Sequence, residues 1–135
     1  MGRSVLILLD THVVVWLAFE QTRISKSAHA AIDEARTGVQ GLAVSDFTLF
    51  ELSLLVRKKK FDLAIRPEAF LSEVERRFTV LPITANIARQ VLDLPASYPN
   101  DPVDRVIGAT ALVEDIPLIT ADREIRKSGA VPTIW

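Results

Sequence analysis

The chain has 135 residues, 49% hydrophobic and 24% charged, with 16 Lys and Arg against 17 Asp and Glu for a formal net charge of −1. That length suits one domain, residues 1–135, able to bury about two thirds of its unfolded surface, and the composition excludes intrinsic disorder. The absence of cysteine excludes disulfide frameworks, zinc–thiolate and iron–sulfur sites and thiol nucleophiles.

In chain order, Val5–Leu9 is a short, wholly apolar run that stops at Asp10. It is too short for a signal-peptide core or a membrane span, so a cytoplasmic protein without a membrane segment is expected. The run reads as a strand buried on both faces. Helical patterning follows through Phe19 and again from Ser25, a candidate N-cap, to Arg36. Gly38 and Gly41 bracket a turn before the strand Leu42–Val44. Ser45 then caps a helix to about Lys59, whose basic end suits the helix dipole. Pro67 starts a helix ending near Arg77, and Val80, Leu81 and Ile83 form a third strand. Thr84 opens a helix to about Leu94, and Asp101-Pro102 opens another that closes near Asp115. A fourth strand at Leu118-Ile119, a short helix over Asp122–Lys127 and a last strand over Pro132–Trp135 complete the pattern. Alternation of continuous apolar strands with helices predicts an α/β fold, a three-layer α/β/α sandwich with a central parallel sheet. Ligands in such folds lie beyond the carboxyl ends of the strands.

Carboxylates fall at those ends. Asp10 ends the first strand, Asp122 follows the fourth, and Asp104 lies in the first turn of the helix opened by Asp101-Pro102. Each has a structural alternative, because Asp caps helices well and favours their first turn. Glu51 is different, since at helical spacing it shares a face with Phe47, Leu54 and Leu55. A carboxylate on an apolar stripe is costly without a compensating cation, although its stem could still reach the rim. If Asp10, Glu51, Asp104 and Asp122 converge, their repulsion demands a cation. An all-oxygen donor set with only two histidines, His12 and His29, selects Mg²⁺ or Mn²⁺ over zinc. Such a cluster is the apparatus of phosphodiester hydrolysis. Without those four acids the net charge of −1 would become +3, a sign that suits a polyanionic substrate.

These residues also carry a resemblance. The strand ending in Asp10-Thr11-His12 with Trp16-Leu17 beyond it resembles the opening of PIN-domain ribonucleases of the VapC toxin type. Ser45 through Glu51-Leu52, Asp101–Arg105 with Ile107–Ala111, and Leu118–Asp122 are similar to the motifs that follow in that family. Leu81–Thr84, Leu94-Pro95 and Ile134-Trp135 keep its order, so the likeness covers nearly the whole chain.

The resemblance implies a PIN-like sandwich, Mg²⁺- or Mn²⁺-dependent cleavage of RNA, a homodimer and inhibition by a cognate antitoxin protein. It places Asp10, Glu51, Asp104 and Asp122 at the catalytic and metal-binding positions, Asp10 and Asp104 most directly. Thr11, Thr120 and Arg105, inside the same motifs, are the expected substrate contacts. Asp101 reads as the helix cap. Leu55 stands where relatives often carry Lys, and Pro99-Asn100 where a His-containing pair is common; both departures bear on a peripheral RNA contact.

Other features weigh less. Arg57–Lys60 reads as a solvated helix end, with phosphate binding open if it lies near the site. His12 is a candidate substrate contact and Trp16 a candidate dimer contact, while the phenylalanines are mostly assigned to the core. No GxGxxG or Walker A pattern is present. Two alternatives stand beside the nuclease. An aspartate-dependent phosphohydrolase would place a second Asp two residues after the first, where His12 stands. A non-catalytic PIN-like scaffold would bind RNA or a partner without cutting, leaving the clustered acids without a use.

Overall fold

The computed structural model describes residues 6–38, 41–61 and 63–135. Val5, expected in the first strand, lies outside the described residues. Five short strands form one parallel sheet: β1 (Ile7–Leu9), β2 (Leu42–Ser45), β3 (Thr79–Leu81), β4 (Leu118–Ile119) and β5 (Thr133–Ile134). The spatial order is β3-β2-β1-β4-β5. The helices are α1 (Thr11–Phe19), α2 (Lys26–Thr37), α3 (Asp46–Arg57), α4 (Pro67–Arg77), α5 (Ala85–Asp93), α6 (Pro102–Glu114) and α7 (Arg123–Ser128).

The strands are apolar throughout because both faces are covered. Ile7, Leu9, Leu42, Val44 and Ile119 point to one side, into a core shared with Val13, Leu17, Ile32, Leu52 and Phe70 of α1 to α4. Leu8, Ala43 and Leu118 alternate to the other side, against Ile107 and Ala111 of α6, Ile125 of α7, and Leu94 and Tyr98. Full burial of each large side chain contributes about 1.5–3 kcal/mol. These two cores are the outer joints of the three-layer sandwich expected from the sequence.

Helix starts follow the capping chemistry. The hydroxyl of Ser25 accepts from the Ala28 N–H at 3.1 Å, that of Ser45 from Phe47 N–H at 3.1 Å and that of Thr84 from Ile87 N–H at 3.3 Å. Asp101 Oδ1 accepts from the N–H groups of Val103 and Asp104 at 2.9 and 3.1 Å, the cap that Asp before Pro predicts. Two readings need correction, at Ile83 and Phe50. Ile83 is not in the third strand, which runs instead from Thr79; the Ile83 N–H leaves the ladder and donates to Asp46 Oδ2 at 3.2 Å. A 3₁₀ turn over Gln21–Arg23 joins α1 to α2. Phe50 is 54% exposed and not a core residue.

Gly108, in the middle of α6, has a packing reason. The Tyr98 ring lies so close that a Cβ at this position would collide with its hydroxyl and ring edge. That hydroxyl donates to the Asp104 carbonyl at 2.6 Å, bracing the first turns of α6. Gly108→Ala is expected to destabilise the protein by about 2 kcal/mol, despite alanine's better helix propensity, because the ring must be displaced. Urea unfolding checks this; a more stable variant would contradict the assignment.

Candidate functional site

The order of strands reverses beside β1. β2 and β3 extend the sheet on one side of it, and β4 and β5 on the other. The crevice beyond the carboxyl ends of β1 and β4 is therefore the topological switch point, the place where such sheets bind ligands. Parallel register pairs Leu9 with Ile119, so the next residues, Asp10 and Thr120, emerge side by side.

Asp10 is only 2% exposed. Its Oδ1 accepts from the Thr11 N–H at 2.9 Å and its Oδ2 from the Thr120 hydroxyl at 2.7 Å. The Thr120 oxygen in turn accepts from the Asp122 N–H at 3.1 Å. A backbone N–H can only donate, so the Thr120 hydroxyl proton is directed at Asp10. His12 closes the same corner. Its Nε2 accepts from the Ala121 N–H at 3.3 Å, which leaves the neutral ring's proton on Nδ1, 3.6 Å from Asp10 Oδ2. A carboxylate still has free lone pairs after these two bonds, so Asp10 is held in place without being saturated.

Glu51 and Asp104 join it. Together the three acids line a cavity of about 330 Å³. Glu51 comes from α3, whose buried residues are Thr48 and Leu52; it stands half-buried on the cavity wall with Leu55, not on a sealed apolar stripe. Thr48 lies one turn before Glu51, and its hydroxyl is 3.0 Å from that of Thr11, clipping α3 to α1 under the acids. Asp104, in the first turn of α6, arrives from the opposite face of the sheet.

The electrostatics are those of acids crowded without a counterion. Burial pushes the Asp10 carboxyl up, and the imidazole of His12 and the bonds from Thr120 and Thr11 only partly offset it. Burial likewise raises Glu51, aided by the charges of Asp10 and Asp101. Asp104 is pushed up to about 7, first by burial and then by Asp10, Asp101, Asp122 and Glu51. Among the described residues no Lys or Arg forms an ion pair with Asp10, Glu51 or Asp104.

The remaining expected site residues fall differently. The carboxylate of Asp122 is turned to its own helix, where Oδ1 accepts from the N–H groups of Glu124 and Ile125 at 2.8 and 3.1 Å. Its charge still reaches Asp10 and Asp104. Thr11 and Thr120, expected as substrate contacts, are buried and bond Asp10. Arg105 is not on the cavity wall: its guanidinium donates to the carbonyls of Pro99 at 3.2 Å and Val91 at 3.3 Å, tying α6 to α5. Trp16 is engaged within the chain, with ring centroids 4.9 Å from His12 and 5.8 Å from Trp135. Thr48 and Tyr98 are the supporting residues the sequence reading missed. A Thr in an apolar helix three residues before Glu51, and a Gly within a helix, were the available signals.

Among the described residues no three His, Cys, Asp or Glu side chains are close enough to form a closed metal cage. The donor set nevertheless fits a hard divalent cation. Mg²⁺ keeps several waters and is usually held by only one or two carboxylates directly. Three oxygen-donor acids lining one cavity, with no soft ligand and, among the described residues, no Lys or Arg paired to them, match that demand.

Comparison with known proteins adds family information. A model of the PIN domain matches residues 7–130. Ribonuclease VapC22 of Mycobacterium tuberculosis is 37% identical over 131 residues, covering 96% of this chain and 98% of the relative. The solved structure of VapBC2 from Rickettsia felis, bound to a DNA fragment from its promoter, superposes with a TM-score of 0.70 at 16% identity, over 95% of this chain and 96% of that one. A toxin–antitoxin complex from Klebsiella pneumoniae gives 0.65 at 21% identity, over 93% and 94%. At such identities the likeness is one of fold.

Proposed function

We propose, from the premise that the chain belongs to the PIN-domain family, that it is a divalent-metal-dependent endoribonuclease. The observation that carries this reading is the group of buried Asp10 with half-buried Glu51 and Asp104 at the switch point of the sheet, with no Lys or Arg paired to it among the described residues. The 37% identity to a ribonuclease over nearly the full chain supports RNA as the substrate. Asp10, Glu51 and Asp104 would hold Mg²⁺ or Mn²⁺, which supplies a lowered water pKa and neutralises charge developing on the phosphate. Asp10 is fixed by Thr120 and Thr11, and Asp104 by the braced start of α6, so both are suited to direct ligation. Asp122 contributes field and, through its N–H on Thr120, the orientation of Asp10.

The phosphohydrolase alternative has less support. His12, at the position where that chemistry wants an acid, is engaged with the Ala121 N–H through Nε2.

The toxin–antitoxin neighbours support a cognate antitoxin as partner; its device would be a basic side chain that enters the acid pocket in place of the cation. Large apolar side chains left exposed, including Phe50, Ile83 and Leu92, support a homodimer. Among the described residues no helix is long and apolar enough to cross a membrane, and the site of action proposed with this ribonuclease reading is cytoplasmic.

The test is incubation of the purified protein with random-sequence RNA in Mg²⁺, in Mn²⁺ and in EDTA. Internal cuts in either metal and none in EDTA are expected. Equal cutting in EDTA, or none in any condition, would contradict the reading.

A further inference from the structure

The cavity is a groove with the acids at one end. Along α1, His12, Val15, Trp16 and Phe19 recur at helical spacing from the Asp10 end to the opposite rim, where Arg23 of the 3₁₀ turn follows. Across from them, α3 supplies Glu51 and Leu55, and the chain just beyond α3 supplies Lys60 and Phe61. Nine residues of α1 span about 13 Å at 1.5 Å per residue. The groove thus has acids at one end, Lys60 with the Arg23–Glu20 pair at the other, and aromatic side chains between.

The backbone explains how Lys60 comes to be there. After α3 the chain makes a tight reversal: the Lys59 N–H donates to the Val56 carbonyl and the Lys60 N–H to the Leu55 carbonyl, both at 3.0 Å. This is the Schellman pattern, which favours glycine at the left-handed position. Here Lys59 occupies it with φ 54°, a conformation that L side chains adopt only under strain. The reversal folds Lys60 and Phe61 back onto the Leu55 side of α3, the side that faces the cavity. Phe61 is fixed there by stacking on Phe19 at 4.8 Å. Arg23 is oriented as well, lying 4.3 Å over the Trp16 ring and paired with Glu20 at 3.0 Å.

We propose that Lys60 binds a phosphate of the substrate strand other than the one that is cut, so that single-stranded RNA lies along the groove between α1 and α3 with its cleaved phosphate at the acids. Cations tracking a backbone with aromatic faces between them are the usual means of holding a single strand. This inference rests on the ribonuclease reading and adds a direction for the strand. The basic run that ends at Lys60 is then not merely a solvated helix end.

The experiment measures steady-state cleavage of end-labelled random-sequence oligoribonucleotides by the parental protein, Lys60→Gln, Lys60→Arg and Lys58→Gln. Lys60→Gln should raise KM about tenfold with kcat nearly unchanged, and should lower the slope of log affinity against log salt by about 0.7, one single-strand phosphate. Lys60→Arg should restore both. Lys58→Gln, which removes a neighbouring charge outside the groove, should leave KM near the parental value. An unchanged KM in Lys60→Gln, a fall confined to kcat, or an equal rise in Lys58→Gln would overturn the proposal while leaving the ribonuclease reading intact. A parental protein that cuts no RNA would overturn both.

Discussion

Asp10→Asn is expected to lower RNA cleavage at least a thousandfold, equivalent to about 4 kcal/mol of barrier, while the protein remains folded. The asparagine keeps the shape that receives the Thr11 N–H on one side and meets Thr120 on the other. It loses the negative charge that a divalent cation requires. Because burial already opposes ionisation of Asp10, and its charge raises both Glu51 and Asp104, removing that charge should raise Tm by a few degrees in metal-free buffer at neutral pH. Loss of cleavage together with a stable fold separates a functional acid from a structural cap. A variant that cuts at the parental rate would exclude Asp10 from the chemistry, and one that fails to fold would make it a structural residue.

The second large effect is on stability against pH. Asp104 has an ordinary value of 3.8 that is pushed up to about 7 in the folded protein, and Asp10 and Glu51 shift in the same direction. Between those limits the folded state binds more protons than the unfolded one. Stability in EDTA should therefore be greatest below about pH 4 with respect to these groups, and decline as pH rises through about 7. Glu73, paired with Arg76 and Arg77, shifts the opposite way, below its usual 4.5, so its contribution grows with pH only up to about that value and does not oppose the decline above it. Asp104→Asn should flatten the decline, by about 1 kcal/mol once solvent screening of this half-exposed group is allowed for. Mg²⁺ should also flatten it, because a cation favours the ionised acids. Urea titrations at several pH values with and without Mg²⁺ measure both. A parental stability that rises steadily from pH 4 to 7 in EDTA would contradict the crowding of these acids.

Much of the fold was legible because the strands are buried on both sides. Leu8, Leu118 and Ile119 read as continuous apolar runs, and each run ended where the structure ends it. The caps at Ser25, Ser45 and Asp101 were legible for a local reason, since each accepts from N–H groups only two or three residues away. β3 was harder. It is an edge strand with a polar first residue and a partly exposed face, so Ile83 seemed to continue a pattern that the Asp46 contact ends.

Asp10 was visible because it ends an apolar strand and strand ends in a parallel sheet converge by construction, whereas Glu51 and Asp104 were legible from their places on helices, an apolar helix face and a first turn after Asp-Pro. The direction of a side chain within a motif was not. Adjacent helix residues point about 100° apart, so Asp104 faces the cavity while Arg105 turns to the carbonyls of Pro99 and Val91. Lys60 was hidden for another reason: the reversal that brings it to the groove uses a lysine where a glycine would have announced the turn. Thr48 and Tyr98 depend on pairings across 37 residues and across a helix face, which no local pattern encodes.

The central claim is that Asp10 and Asp104, with Glu51 beside them, hold the divalent ion, while Asp122 supports them from its helix cap. Calorimetric titration of Mn²⁺ into the parental protein and into Asp10→Ala, Asp104→Ala and Asp122→Ala tests it most directly. The parental protein should bind, and Asp10→Ala and Asp104→Ala should each weaken binding at least about tenfold. Asp122→Ala should retain most of the affinity and instead lose about 1 kcal/mol of stability, the value of its cap on α7. Loss of Mn²⁺ binding in Asp122→Ala with retention in Asp104→Ala would contradict the account.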